Sequence, residues 1–179
     1  MPEIPRLTLV LGGVASGKSA FAERLVTASG LRPVHLATAE AGDAEMAAKI
    51  AAHRAARGPE WRNVEAPRDL APALAGLQAE EMLLLDCLSM WLSNHLLAGS
   101  LTEARQDALL AALAAAAGPV AVVSNEVGGG GVGGDALSRR FQNALGRLNQ
   151  RLAARADSVI LVTAGLPLAL KGALPEDAP

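Results

Sequence analysis

The strongest chemical signal in the chain is the run Gly12-Gly13-Val14-Ala15-Ser16-Gly17-Lys18-Ser19, which completes the pattern G-x-x-x-x-G-K-[ST]. Glycines at these spacings let the backbone curl until successive N–H groups point inward at phosphate oxygens, and a helix that begins there adds its positive end. Lys18 is then placed to reach the β- and γ-phosphates, and the Ser19 hydroxyl suits a Mg²⁺ that bridges the same oxygens. The pattern carries this meaning only between a strand and a helix. Both neighbours are present, with Leu7–Leu11 reading as strand and Lys18–Ser29 as helix.

Two further groups could take part. Asp86 closes the apolar run Leu83-Leu84-Leu85, as does the second metal-binding carboxylate of phosphate-loop proteins, although an aspartate at a strand end also serves as an ordinary turn residue. Lys49, His53 and Arg57 recur every four residues and share one face of a predicted helix, Asp43–Arg57. Such a stripe can grip a phosphate chain and disfavours protonation of the central imidazole, whose neutral form is the nucleophile. Spacing alone equally describes a solvated basic face with a surface histidine. His35, in a predicted strand, and His95, in an apolar helix, read as packed structural residues. Close cysteine pairs, H-E-x-x-H and G-x-S-x-G are all absent, so zinc hydrolysis and serine-esterase chemistry lack support. The Asn-Lys-x-Asp guanine-reading pattern of switch GTPases is absent too.

These residues need a scaffold, and the hydrophobic pattern supplies one. Strands are predicted at Leu7–Leu11, Val34–Ala37, Trp61–Glu65, Met82–Asp86, Val120–Ser124 and Ser158–Val162. Helices are predicted at Lys18–Ser29, Asp43–Arg57, Arg68–Leu77, Leu88–Ala98, Thr102–Ala117 and Asp135–Ala156, with Gly30, Asp43, Thr102, Gly118 and Asp135 as caps or stops. Leu83–Leu85 and Val120–Val123 do not alternate with polar residues, which places them mid-sheet, buried on both faces. The result is an α/β chain of P-loop NTPase fold: a mostly parallel central sheet with helices on both faces, in one nucleotide-binding domain over residues 1–179. The loop Asn125–Gly134, with six glycines, reads either as a lid over a substrate or as a plain surface loop, and the tail after Gly172 as a loose end.

Composition narrows the remaining options. The 179 residues are 51% hydrophobic and 19% charged, enough to build a sizeable core without metal or disulfide staples. A lone cysteine, Cys87, suits a reducing compartment. A formal net charge of −2 and 2% aromatics imply neither a phosphate-tracking surface nor a stacking platform for nucleic acid. The longest apolar stretch, Leu109 to Val123, is broken by Gly118-Pro119 and falls short of a membrane span. No basic leader precedes the first strand, so a cytoplasmic location is expected.

Several blocks together resemble the bifunctional adenosylcobinamide kinase/adenosylcobinamide-phosphate guanylyltransferases of late cobalamin assembly. They are Gly12–Ser19; Ala37-Thr38; Glu45-Met46 through Ile50, His53 and Arg57; Trp61-Arg62 with Glu65; Leu85-Asp86-Cys87-Leu88 with Trp91-Leu92-Ser93-Asn94; Ser124-Asn125-Glu126-Val127-Gly128; and Gly146-Arg147-Leu148-Asn149-Gln150-Arg151. The resemblance implies that His53 is a guanylylated nucleophile and Lys18 a catalytic cation. It implies nucleotide contacts at Gly12, Gly13, Val14, Ala15, Ser16, Gly17, Lys18 and Ser19, at Ala37, Thr38 and Ala39, at Arg54, Ala55, Ala56 and Arg57, and at Glu65 and Asp86. Mg²⁺ would sit on Ser19 and Asp86, with ATP and GTP as substrates, adenosylcobinamide and its phosphate as acceptors, and a homo-oligomer, a trimer, as the assembly. A single-activity small-molecule kinase is the alternative on the same fold. The chain departs from the family pattern where relatives have Pro-Glu-Asn and it reads Gly133-Gly134-Asp135.

Overall fold

The computed structural model describes residues 4–40 and 57–175, which form a seven-stranded sheet flanked by helices. The strands are β1 (Leu7–Gly12), β2 (Arg32–Ala37), β3 (Arg62–Glu65), β4 (Glu81–Asp86), β5 (Val120–Asn125), β6 (Ser158–Thr163) and β7 (Leu166–Lys171). The helices are α1 (Lys18–Ala28), α2 (Ala71–Ala75), α3 (Leu88–Leu97), α4 (Glu103–Ala115) and α5 (Ala136–Arg155). Across the sheet the order is β3-β2-β4-β5-β1-β6-β7, and every neighbouring pair is parallel except β6 with β7. The predicted helix Asp43–Arg57 lies outside the described residues, Arg57 excepted.

Burial explains why β4 and β5 take the middle positions. Leu83, Leu85, Val120 and Val122 face one apolar core, while Met82, Leu84, Ala121 and Val123 face the other. Each full burial of such a side chain stabilises the fold by roughly 1.5–3 kcal/mol, so strands apolar on both faces gain most where both faces are covered. Helix α1 closes one face with Phe21, Ala22 and Val26. Helices α2 to α5 close the other, through Leu74, Leu92, Leu110 and Leu148 among others. Two of the predicted caps act as N-caps: Thr102 Oγ1 accepts from the Arg105 amide, and Asp135 accepts from the Ser138 amide.

Two expectations need correction. Helix α2 is shorter than the predicted Arg68–Leu77, because Pro72 sits in its first turn and the Arg68 carbonyl is taken by side chains of α3. Strand β7 was not expected at all. Pro167 argues against a strand, yet β7 is an antiparallel edge, where a missing N–H is tolerated. It returns from β6 through Ala164-Gly165, both at positive φ (52° and 80°), and an alanine at the first of these positions hides the usual hairpin signal.

Trp91, Asn94 and His95 show how helical spacing places polar groups. At i, i+3 and i+4 they share one face of α3. Trp91 Nε1 donates to the Arg68 carbonyl (2.8 Å), and Asn94 Nδ2 donates to the carbonyls of Thr38 (2.8 Å) and Pro67 (2.9 Å). His95 contacts the Arg68 carbonyl through Nε2 (3.1 Å) and the Ser100 hydroxyl through Nδ1 (2.9 Å). The carbonyl can only accept, so the proton sits on Nε2 and Nδ1 accepts from Ser100. Burial holds the His95 pKa below its ordinary 6.5, against the Arg68 hydrogen bond. The sign follows: as pH falls through about 6.5 the unfolded chain protonates first, so stability present above that pH is lost below it. Urea midpoints should therefore fall between pH 7 and 5, and His95→Gln should flatten that slope.

Candidate active site

The glycine loop follows β1 and opens α1 as the motif requires. Gly12 must lack a side chain, since a Cβ there would lie 2.3 Å from Ser16 Oγ and 2.7 Å from the Val162 carbonyl oxygen. Gly17 adopts φ 92° as the residue before α1, and Ala15 stands at φ 57°. The turn is closed by the Ser16 amide on the Gly13 carbonyl (3.3 Å) and braced from the β6–β7 turn by the Gly165 amide on the Ser16 carbonyl (2.8 Å). Lys18 folds back so that Nζ donates to the Gly13 carbonyl at 3.0 Å, which keeps the ammonium over the loop. Ser19 is half-buried one residue further into α1. Val14, at 89% exposure, marks the outer side of the loop.

The carboxyl ends of β2, β4, β5 and β1 lie side by side at this edge, the place where open α/β sheets bind ligands. Ala37 is in register with both Asp86 and Glu65, so three of the predicted contact positions meet at one level. Ala39 lies two residues beyond the strand end, half-buried. Thr38 is fully buried: its Oγ1 donates to the Cys87 carbonyl (2.7 Å) and accepts from the Cys87 amide (2.9 Å). Its hydroxyl ties β2 to the start of α3, while its amide donates to the Asp86 carbonyl (3.2 Å) and its carbonyl accepts from Asn94, so Thr38 braces the strand end. Glu65 is exposed at the tip of β3. His53, Arg54, Ala55 and Ala56 lie outside the described residues.

Arg57 is drawn inward, its side chain only 5% exposed. Its guanidinium bonds Glu23 (Nε to Oε1 2.8 Å, Nη2 to Oε1 2.7 Å) and stands 3.8 Å from Asp86 Oδ2. Arg57 Nη1 also lies 3.3 Å from His35 Nδ1. A guanidinium only donates, so Nδ1 accepts and the imidazole proton rests on Nε2, 3.8 Å from Asp86 Oδ2. Both neighbours approach the same oxygen, and neither closes to a hydrogen bond. The carboxylate thus keeps lone pairs for a hard cation, and with the Ser19 hydroxyl it offers the oxygen donors that Mg²⁺ prefers alongside phosphates and water. Sequence reading gave His35 no role; the structure puts it beside Asp86, and register supplies the missing signal, since His35 and Ala37 share a face of β2.

A second missed position is Asn125, paired with Gly12 at the end of β5. Its amide donates to Ser89 Oγ (2.8 Å) and its carbonyl accepts from Asn149 Nδ2 (3.0 Å), which fixes the strand end beside the loop. The glycine-rich segment that follows is pinned rather than free. Glu126 accepts from the amides of Gly128 and Gly129, and Gln142 bonds both Gly131 and Gly133. Arg139 donates to the carbonyls of Gly133 and Gly134, and Asp135 caps α5, so the departure at positions 133 to 135 makes a helix entry.

Comparison with known proteins now adds identity to geometry. The crystal structure of the RadB recombinase superposes with a TM-score of 0.55 at 17% identity, covering 97% of this chain and 84% of that one. The PH0250 structure from Pyrococcus horikoshii OT3 gives 0.52 at 9%, covering 97% and 89%. At those identities the likeness is one of fold, and it agrees with the P-loop NTPase architecture. In sequence, the chain is 46% identical over 167 residues to the bifunctional adenosylcobalamin biosynthesis protein CobP of Pseudomonas aeruginosa, across 92% of this chain and 96% of that protein. It is 36% identical over 181 residues to CobU of Salmonella typhimurium, with coverages of 92% and 99%. Residues 8–170 match the CobU family model, described as cobinamide kinase / cobinamide phosphate guanyltransferase, and the chain belongs to that family.

Proposed function

We propose that this protein phosphorylates adenosylcobinamide at its aminopropanol hydroxyl with ATP or GTP, and then transfers GMP from GTP to the product to give adenosylcobinamide-GDP. The observation that carries the reading is the closed phosphate loop Gly12–Ser19 at the end of β1, within a chain matched to the family over residues 8–170. In the kinase step, backbone amides of the loop hold the triphosphate and Lys18 neutralises charge on the γ-phosphoryl as it passes to the acceptor oxygen. Mg²⁺ held by Ser19 and Asp86 supplies further charge neutralisation when bound. Gly13 to Gly17 orient the phosphates. Ala37, Thr38, Ala39, Glu65 and the segment Arg54 to Arg57 complete the nucleotide site.

In the transfer step a His53 nitrogen attacks the α-phosphorus of GTP, an N–P bond forms, and pyrophosphate leaves. The phosphate of adenosylcobinamide phosphate then attacks that phosphorus, the N–P bond breaks, and the imidazole is restored. Support for this step comes from the family resemblance of the histidine block. The same reading carries one nucleotide-binding domain over residues 1–179, a cytoplasmic enzyme and a homotrimer. Among the described residues no helix is long and apolar enough to cross a membrane. Incubating the protein with adenosylcobinamide, ATP and α-labelled GTP tests the whole proposal. Both phosphorylated and guanylylated corrinoid should form, with an acid-labile label on the protein; nucleotide binding without either product would overturn it.

A further inference from the structure

A cleft of about 580 Å³ opens between the segment Glu126 to Val132, one face of α5, and strands β1, β6 and β7. Its floor is apolar, formed by Leu11, Val159 and Leu170. One end abuts the phosphate loop, because the Glu126 amide donates to the Gly12 carbonyl at 3.0 Å. The helical wall presents Asn143, Gly146 and Gln150, spaced by three and four residues along one face.

Two features of that wall point to a ligand. The first is Gly146, in the interior of a 20-residue helix where glycine weakens the helix. Neither a positive φ nor close packing requires it, since a Cβ there would meet nothing within 4 Å. What its absence leaves is room in the cleft. The second is the division of polar groups. The charged side chains of the cleft are engaged by backbone: Glu126 by two amides, Arg139 by two carbonyls and Lys171 by the carbonyls of Ala153 and Ala154. The carboxamides of Asn143 and Gln150 have no hydrogen-bond partner in the described residues. The polar side chains left without a protein partner are therefore neutral amides over an apolar floor, suited to a ligand that carries amides of its own.

We propose that this cleft is the acceptor subsite, seating the carboxamide-fringed edge of the corrinoid so that its aminopropanol hydroxyl reaches the γ-phosphate at Gly12–Lys18. Asn143 and Gln150 pair with the peripheral amides, and Gly146 leaves the space for the macrocycle edge. The inference rests on the kinase reading above.

The test is Gly146→Leu, with Gly146→Ala beside it to report helix stability through Tm. Kinase assays against adenosylcobinamide should show KM raised ~10-fold or more in Gly146→Leu, with the nucleotide Kd within about twofold of wild type. An unchanged KM overturns the proposal, as does an equal loss of nucleotide affinity. Loss of self-association without a change in KM assigns the face to a second copy and also overturns it. Should Gly146→Leu fail to fold, Asn143→Leu and Gln150→Leu, both on exposed sites, are read by the same criteria. Wild-type protein that binds nucleotide yet never turns over adenosylcobinamide brings down the kinase reading itself, a result distinct from a cleft variant with unaltered KM.

Discussion

Replacing His53 with alanine is expected to abolish the acid-labile label from α-labelled GTP and all formation of guanylylated corrinoid. Kinase kcat/KM should stay within about threefold of wild type, because the two steps displace at different phosphorus atoms and only one needs a protein nucleophile. Imidazole suits the covalent step since it is both a competent nucleophile and a good leaving group from phosphorus. Assays of the two half-reactions on one preparation, with far-UV circular dichroism to verify folding, check this division. Equal loss of both activities in a folded variant would falsify it.

Lys18→Ala should lower kinase kcat/KM by ~10²-fold or more, about 2.7 kcal/mol of transition-state stabilisation. Lys18 Nζ rests over the loop on the Gly13 carbonyl, and its side chain is partly exposed rather than part of the apolar core. Tm should therefore move little, while steady-state kinetics register the loss. A kinase activity within threefold of wild type would sink the assigned role. Beside His53→Ala, this variant separates the electrostatic contribution of the loop from covalent catalysis at His53.

Much of the scaffold was readable before any coordinates. The phosphate loop, the mid-sheet placement of Leu83–Leu85 and Val120–Val123, and the caps Thr102 and Asp135 all depend on neighbours within a few residues. Strand β7 escaped because Pro167 and Ala164 each contradict a local rule that an edge position relaxes. Asp86 was legible as a strand-end carboxylate, whereas its neighbours were not: Arg57 reads as part of a basic helical stripe, and His35 as a packed residue.

The sequence by itself determined that a triphosphate can be held at the end of β1, since G-x-x-x-x-G-K-S encodes its own turn and its own helix start. It also determined the family, because several short blocks recur together in order. Tertiary structure alone decided that Gly165 braces Ser16 from the far end of the chain, that Glu23 and Asp86 draw Arg57 inward, and that Gln142 and Arg139 pin the glycine segment above an amide-lined cleft. The physical reason is range. Turn, cap and periodicity preferences act between residues close in the chain, but a hydrogen bond or ion pair across the sheet depends on which strands become neighbours, and that is settled only when both apolar faces are buried together.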